Sequence, residues 1–245
     1  MKKLRAALIG ASGRMGRAII SAATNESAVE IAAAVNRGDD ASAAIAECDL
    51  VIDFSHADAT GAVCAACVAQ RKPAVIGTTG HSPEQLAAID EAAAAIPIVF
   101  AANFSVGVNA LFWLTRHAAT LLGDGFDIEI IETHHRLKKD APSGTAKQLA
   151  RLLCEARALD SEAEVTHGRH GMVGERPAKQ IGMHAIRAGD VVGEHTVLFA
   201  GAGERLELTH KASSRDTFAI GALRAAAWVV DQPPRLYRME DVLGL

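Results

Sequence analysis

The first hundred residues switch repeatedly between short apolar runs and alanine-rich helical stretches, a rhythm that few folds accommodate. Leu4–Ile9, Val29–Val35, Asp49–Phe54, Pro73–Ile76 and Ile96–Ala101 read as strands, and Arg14–Ala23, Ala41–Glu47, Ala59–Gln70 and Pro83–Ala95 as the helices between them. Short apolar strands separated by helices predict a parallel sheet covered on both faces. From Val108 the pattern changes. A helix over Asn109–Leu122 and a strand over Asp127–Thr133 precede an amphipathic helix marked by Ala146, Leu149, Ala150 and Leu153. Gln180–Arg187, Val191–Ala200 and Arg205–Ala212 follow, punctuated by Ala188-Gly-Asp190 and Gly201-Ala-Gly-Glu204, and read as an antiparallel meander. Thr217–Val230 returns to the alanine-rich helical pattern, so the chain is expected to leave its first domain and come back, with hinges near residues 105 and 215.

At 245 residues and 49% hydrophobic, the chain can bury one large core or two small ones. The net charge is −4 with cations interspersed, which gives no electrostatic footprint for nucleic acid. The apolar runs are too short to span a membrane. Met1–Gly10 superficially resembles a signal peptide, but Arg5 interrupts it, and a first strand is the expected reading. Four cysteines are sparse for a disulfide scaffold, and Cys64 and Cys67 lack a second pair to complete a zinc site. No metal and a reducing cytoplasm are therefore expected.

Gly10-Ala11-Ser12-Gly13-Arg14-Met15-Gly16 follows a predicted strand and opens a predicted helix. Glycines there permit a tight turn and let a pyrophosphate approach backbone N–H groups at the helix start. The expected fold class is α/β, with a Rossmann-type parallel-sheet dinucleotide-binding domain over 1–105 and 216–245. An α+β substrate and oligomerisation domain with an open mixed or antiparallel sheet is expected over 106–215. Twenty positions past the loop, where an acid would select NAD, stand Asn36 and Arg37. Asparagine does not repel a 2′-phosphate and Arg37 can pair with one, so NADPH is expected to serve at least as well as NADH; equally, both residues can simply cap a strand end. The loops Gly77-Thr78-Thr79 and Ala101-Ala102-Asn103-Phe104 follow strands and are candidates to line the nicotinamide and its ribose, or ordinary turns.

The stretch Glu132-Thr-His-His-Arg-Leu-Lys-Lys-Asp-Ala-Pro-Ser-Gly-Thr-Ala146 carries chemistry of another kind. His134 and His135 are adjacent at a strand end, so they point to opposite faces and lack the spacing of a helical zinc pair. Histidine exchanges protons near neutral pH. Lys138 and Lys139 lie just beyond, and a lysine there can act as a general acid or clamp a carboxylate. Ser143, Gly144 and Thr145 offer hydroxyls and N–H groups at the next helix start, an anion site or simply a cap.

Together with Gly13-Arg-Met-Gly16, this segment resembles the 4-hydroxy-tetrahydrodipicolinate reductase (dihydrodipicolinate reductase) family of the diaminopimelate–lysine pathway. The resemblance takes in Val51-Ile-Asp-Phe54, Val75-Ile-Gly-Thr-Thr-Gly80, Phe100–Gly107, Val192-Gly-Glu-His195 and Leu208–Arg215, nearly the whole chain. It implies hydride transfer from NADPH or NADH to a ring dicarboxylate with loss of its 4-hydroxyl as water. His134 is then a proton donor or acceptor and Lys138 a proton donor, while His135, Ser143, Gly144 and Thr145 hold the substrate. It further implies a homotetramer built through the substrate-domain sheet. Arg215, at the predicted hinge, can reach cofactor or substrate, or form an interdomain salt bridge. One departure is that a longer insertion often found in the family between Asn36 and Asp49 is nearly absent here. Two alternatives stay open: another two-domain NAD(P) oxidoreductase, such as a semialdehyde dehydrogenase, and a dinucleotide-sensing module. The first needs a nucleophilic cysteine in a loop after a strand, and none stands there. The second has no use for the cationic segment.

Overall fold

The computed structural model describes residues 3–24 and 28–245, so Met1 and Lys2 of the signal-like stretch lie outside it. In chain order the elements are β1 (Leu4–Ile9), α1 (Arg14–Ala23), β2 (Val29–Val35), α2 (Ala41–Ala46), β3 (Leu50–Asp53), α3 (Ala57–Gln70), β4 (Ala74–Ile76), α4 (Pro83–Ala93) and β5 (Pro97–Phe100). There follow α5 (Val106–Leu122), β6 (Asp127–His134), α6 (Gly144–Arg157), α7 (Ser161–Glu164), β7 (Val165–His167), β8 (Ile181–Arg187), β9 (Gly193–Ala200), β10 (Arg205–Ala212), α8 (Asp216–Val229), β11 (Arg235–Tyr237) and α9 (Met239–Leu243). The chain divides into two compact units, Met1–Val106 with Arg215–Leu245, and Gly107–Ser214.

The first unit holds a six-stranded sheet in the order β11-β5-β4-β3-β1-β2, parallel throughout. Alternate residues of each strand serve opposite faces. Ala6, Leu8, Leu50, Ile52, Val75 and Val99 pack with Ile19 of α1 and Ala222, Ala226 and Val229 of α8. Ala7, Ile9, Val51, Ala74, Ile76 and Ile98 pack with Ile45, Val63, Cys67 and Ile89 from α2, α3 and α4. Burial on both faces is why these strands read as continuous apolar runs. All four cysteines are free and buried, and burial raises the Cys64 thiol to about 11, which makes it inert. β1 lies between β2 and β3, so the chain reverses direction across the sheet at the carboxyl end of β1, the place where open parallel sheets bind ligands.

The second unit holds a five-stranded sheet in the order β10-β9-β6-β8-β7. It is mixed. β6 pairs antiparallel with β9 and parallel with β8, so the expected meander is real only for the β9–β10 hairpin. The reason lies in the turn at Ala188–Gly189. Ala188 N–H donates to the His134 carbonyl at 2.9 Å and Arg136 N–H to the Gly189 carbonyl at 3.1 Å, which prolongs the β6–β8 pairing instead of closing a β8–β9 hairpin. One face of the sheet packs Ile128, Ile130, Ile181, Met183, Val197 and Phe199 against Val108, Leu111 and Phe112 of α5 and Leu149 and Leu153 of α6. No helix among the described residues is long and apolar enough to cross a membrane.

Candidate active site

Along β6 the residues facing the helices are Ile128, Ile130, Glu132 and His134. The face is thus apolar for half its length and ionisable at its carboxyl end. The neighbouring strands follow suit: Glu132 lies opposite His195 of β9, and His134 lies opposite Arg187 of β8. Glu132 is fully buried. Its Oε2 accepts from His134 Nδ1 at 2.5 Å and from Arg187 at 2.9 Å, and its Oε1 accepts from the other Arg187 nitrogen at 2.9 Å and from Ser143 N–H at 3.1 Å. Burial alone would push this carboxyl up, but the hydrogen bonds from Arg187 and His134 outweigh it and hold it below the usual carboxylate range. Burial pushes the His134 imidazole down, against the pull of Glu132, and the charges of Lys138 and Arg187 add to the fall. His134 is therefore largely neutral at pH 7.

Ser143 caps α6: its Oγ accepts from Ala146 N–H at 3.1 Å and lies 3.0 Å from His195 Nε2. It is buried, so its hydroxyl holds the helix start in place. What the helix start presents outward is Gly144, which is exposed with open space where a side chain would be, and Thr145, which is half-buried. His135 is half-buried and its Nδ1 has no hydrogen-bond partner among the described residues, a need that a ligand can meet. Lys138 Nζ lies 3.0 Å from both oxygens of Asp140, and the same Asp140 gives its carbonyl to Arg187 at 2.7 Å. Arg136 and Lys139 are exposed. Among the described residues no group of histidines, cysteines and acids could hold a metal ion.

His195 stacks edge-on to His134 at 5.2 Å, and burial, aided by the His134 charge, lowers it to about 4. From the ordinary 6.5 down to 4, the unfolded chain takes up a proton that folded His195 refuses, so stability falls as pH falls across that window. Burial lowers His210 too, so it acts with the same sign. Replacing His195 by Asn is expected to flatten the decline, which thermal scans between pH 7 and 4 would reveal. An unchanged slope would remove His195 as its source.

In the first unit, the turn after β1 is shaped for an anion. Gly10 has φ +83°, and a Cβ there would lie 2.4 Å from the Phe54 carbonyl oxygen. The loop is pinned by Gly13 N–H to the Gly10 carbonyl at 3.0 Å, by Ser12 N–H to Asn36 Oδ1 at 2.8 Å, and by Arg17 to the Ser12 carbonyl. α2, α3 and α4 begin on capping side chains from Asp40, His56 and Ser82, whereas α1 begins at Gly13 with none. Its first N–H groups therefore receive no side-chain cap, and groups of this kind can donate to an anion. A pyrophosphate fits this cradle: Ser12, Gly13 and Arg14 are exposed, Ala11 is buried beneath them, and Met15 packs against the core.

The remaining candidates divide by exposure. Asn36 uses its side-chain oxygen on the loop, Arg37 is exposed, and Asp39 accepts Asn36 N–H at 2.8 Å in the same turn. Thr78 is buried, and its hydroxyl accepts from Ser55 N–H at 2.9 Å, leaving Thr79 exposed. A Cβ on Gly77 would strike the Phe54 ring at 2.2 Å. The Phe104 side chain belongs to the core, so any role beside a ligand falls to the backbone here and to Ala101, Ala102 and Asn103. Arg215 is exposed at the start of α8. Glu132, Asp140, Arg187 and His195 also belong to the cluster around His134, though the sequence alone predicts no role for them. The signal for Glu132 was an acid on the Ile128–Ile130 face, and for His195 a histidine in register with Val197 and Phe199.

Residues 4–104 match the family description "Dihydrodipicolinate reductase, N-terminus" and residues 107–243 match "Dihydrodipicolinate reductase, C-terminus". A 4-hydroxy-tetrahydrodipicolinate reductase of Akkermansia muciniphila is 58% identical over 236 residues, covering 96% of each chain. One from Alkalilimnicola ehrlichii is 49% identical over 264 residues, covering 98% of this chain and 99% of the other. Among solved structures, a dipicolinate-bound dihydrodipicolinate reductase from Paenisporosarcina sp. TG-14 has the same fold, with a TM-score of 0.77 at 23% identity over 96% of this chain and 97% of that one.

Proposed function

The chain belongs to the dihydrodipicolinate reductase family, and from that premise we propose that it reduces 4-hydroxy-tetrahydrodipicolinate to tetrahydrodipicolinate with loss of water, a step of lysine biosynthesis by the diaminopimelate route. The observation that carries this reading is the cluster at the end of β6. There His134, the Lys138–Asp140 pair and the α6 start are tied together through Glu132 and Arg187. The first unit is the dinucleotide-binding domain, with Gly10–Gly16 under the pyrophosphate. Gly77, Thr79 and Ala101–Asn103 line the nicotinamide side, and Arg215 stands by for cofactor or substrate. Bound there, the reduced nicotinamide supplies a hydride. The second unit grips the dicarboxylate through His135 and the N–H groups of Gly144 and Thr145, which Ser143 holds in place. Lys138 gives a proton and His134 exchanges one.

Arg37 favours a 2′-phosphate, whereas Asp39 in the same turn favours free ribose hydroxyls, so both NADPH and NADH are accepted, NADPH at least as well. The enzyme works in the cytoplasm, takes no nucleic acid or membrane partner, and assembles as a homotetramer through the open face of its mixed sheet. The test is direct. Substrate made freshly from pyruvate and aspartate semialdehyde by the preceding synthase is added with each dinucleotide, and the nicotinamide absorbance is followed. Oxidation of NADPH or NADH supports the reading, and oxidation of neither overturns it. A strong preference for NADH in kcat/KM would overturn the cofactor assignment alone.

A further inference from the structure

We propose that Glu132 is the positioning residue for proton exchange at His134, holding the imidazole as its Nδ1–H tautomer so that Nε2 carries the exchanged proton, with Arg187 offsetting the carboxylate charge. The inference rests on the functional reading above for its catalytic consequence, but its geometry stands alone.

Glu132 has four acceptor directions and four donors: His134 Nδ1, two Arg187 nitrogens and Ser143 N–H. An ionised carboxylate has no proton to give, so at 2.5 Å the hydrogen between them belongs to His134 Nδ1. Nε2 then bears the lone pair. The side it faces is kept clear by Gly193 of β9, where a Cβ would lie 3.1 Å from Nε2. Three backbone segments meet at this carboxylate: β6 through Glu132 itself, β8 through Arg187 and the start of α6 through Ser143. Rotating the imidazole would therefore leave Glu132, buried at 0% exposure, short of a donor.

Arg187 has a distinct task. An uncompensated buried carboxylate beside His134 would hold the imidazole charged. With Arg187 bidentate on that carboxylate, the pair is close to neutral as His134 meets it. The other groups that act on this ring are Lys138 from the β6–α6 loop and His195 from β9, the latter neutral at pH 7. The net effect lowers His134 below its ordinary value, so orientation is obtained without permanent protonation.

The variant Glu132→Gln separates positioning from mere support. Gln keeps one oxygen for Ser143 N–H and turns an NH₂ toward Nδ1, which reverses the hydrogen bond and selects the Nε2–H tautomer. Full-length protein with ¹⁵N-labelled histidine, without substrate or dinucleotide, reports the tautomer by NMR, with His134 assigned from a His134→Asn spectrum. The expected result is Nδ1–H in the parent and Nε2–H in the variant, with the His134 titration midpoint lower by about one pH unit. The kcat of the variant should fall by roughly 10²-fold or more. Arg187→Gln should move the midpoint the opposite way, and it serves as the readout if Glu132→Gln does not fold. Nε2–H in the parent, or midpoints that stay put in the folded variants, would overturn the proposal. An expected NMR result in a protein that oxidises neither dinucleotide would leave the positioning intact and sink the functional reading instead.

Discussion

Replacing Lys138 by Ala is expected to lower kcat by about 10²–10⁴-fold, the usual range for a positioned general acid. Lys138 is the less exposed of the two adjacent lysines, with 20% of its side chain accessible, and Asp140 bonds its ammonium with both oxygens. That pairing aims the ammonium, which is what a proton donor to a developing carbanion or leaving hydroxyl requires. Lys139 is exposed, and its replacement by Ala should change kcat by less than about threefold. Steady-state rates of the two variants, with circular dichroism as the check on folding, decide the matter. A folded Lys138→Ala protein with near-normal turnover would remove the residue from its proposed role.

The second large effect is expected at Gly16. A Cβ at this position would stand 2.3 Å from the Gly10 carbonyl oxygen and 2.5 Å from that of Ala11, so the first turn of α1 and the glycine loop cannot keep their present contact. Because both obstacles are backbone, neither can rotate aside. Gly16→Ala should cost about 2–4 kcal/mol of stability. It should also weaken dinucleotide binding at least about tenfold, equivalent to about 1.4 kcal/mol. Gly61 provides the control, since it sits in α3 with nothing within 4 Å of an added Cβ. Gly61→Ala should be neutral or stabilising by up to about 1 kcal/mol. Denaturant unfolding and dinucleotide titration of both variants test the contrast. Equal behaviour would mean that the loop–helix contact does not shape the cradle.

The parallel sheet was legible because its central strands β1, β3, β4 and β5 are buried on both faces and the helices between them are rich in alanine. Element ends agree to within a residue or two, except that α5 begins at Val106, three residues early, inside what reads as a loop. Short elements escaped: β7, β11, α7 and α9 have three to five residues each, too few for a period to register. Strand pairing in the second sheet also escaped, because a linear pattern shows which residues alternate but not which neighbour they meet. β8 follows the linear pattern of a neighbour to β9, yet it lies between β6 and β7. The same limit explains the site. His134, Lys138 and the Ser143–Thr145 turn stand close in sequence and could be grouped by inspection. Arg187 reaches Glu132 across 55 positions through the pairing of β8 with β6, and His195 of β9 reaches Ser143 across 52 through the α6 start packed on that sheet.

A hydride is expected to pass from a nicotinamide dinucleotide to the substrate ring on this protein. The most direct measurement uses dinucleotide deuterated at the reactive nicotinamide carbon, with fresh substrate, and mass spectrometry of the tetrahydrodipicolinate formed. With each face of the nicotinamide labelled in turn, one labelled form should yield product heavier by one mass unit in step with dinucleotide oxidation. Oxidation that leaves the product unlabelled from both forms, or no oxidation at all, would contradict hydride transfer to the ring.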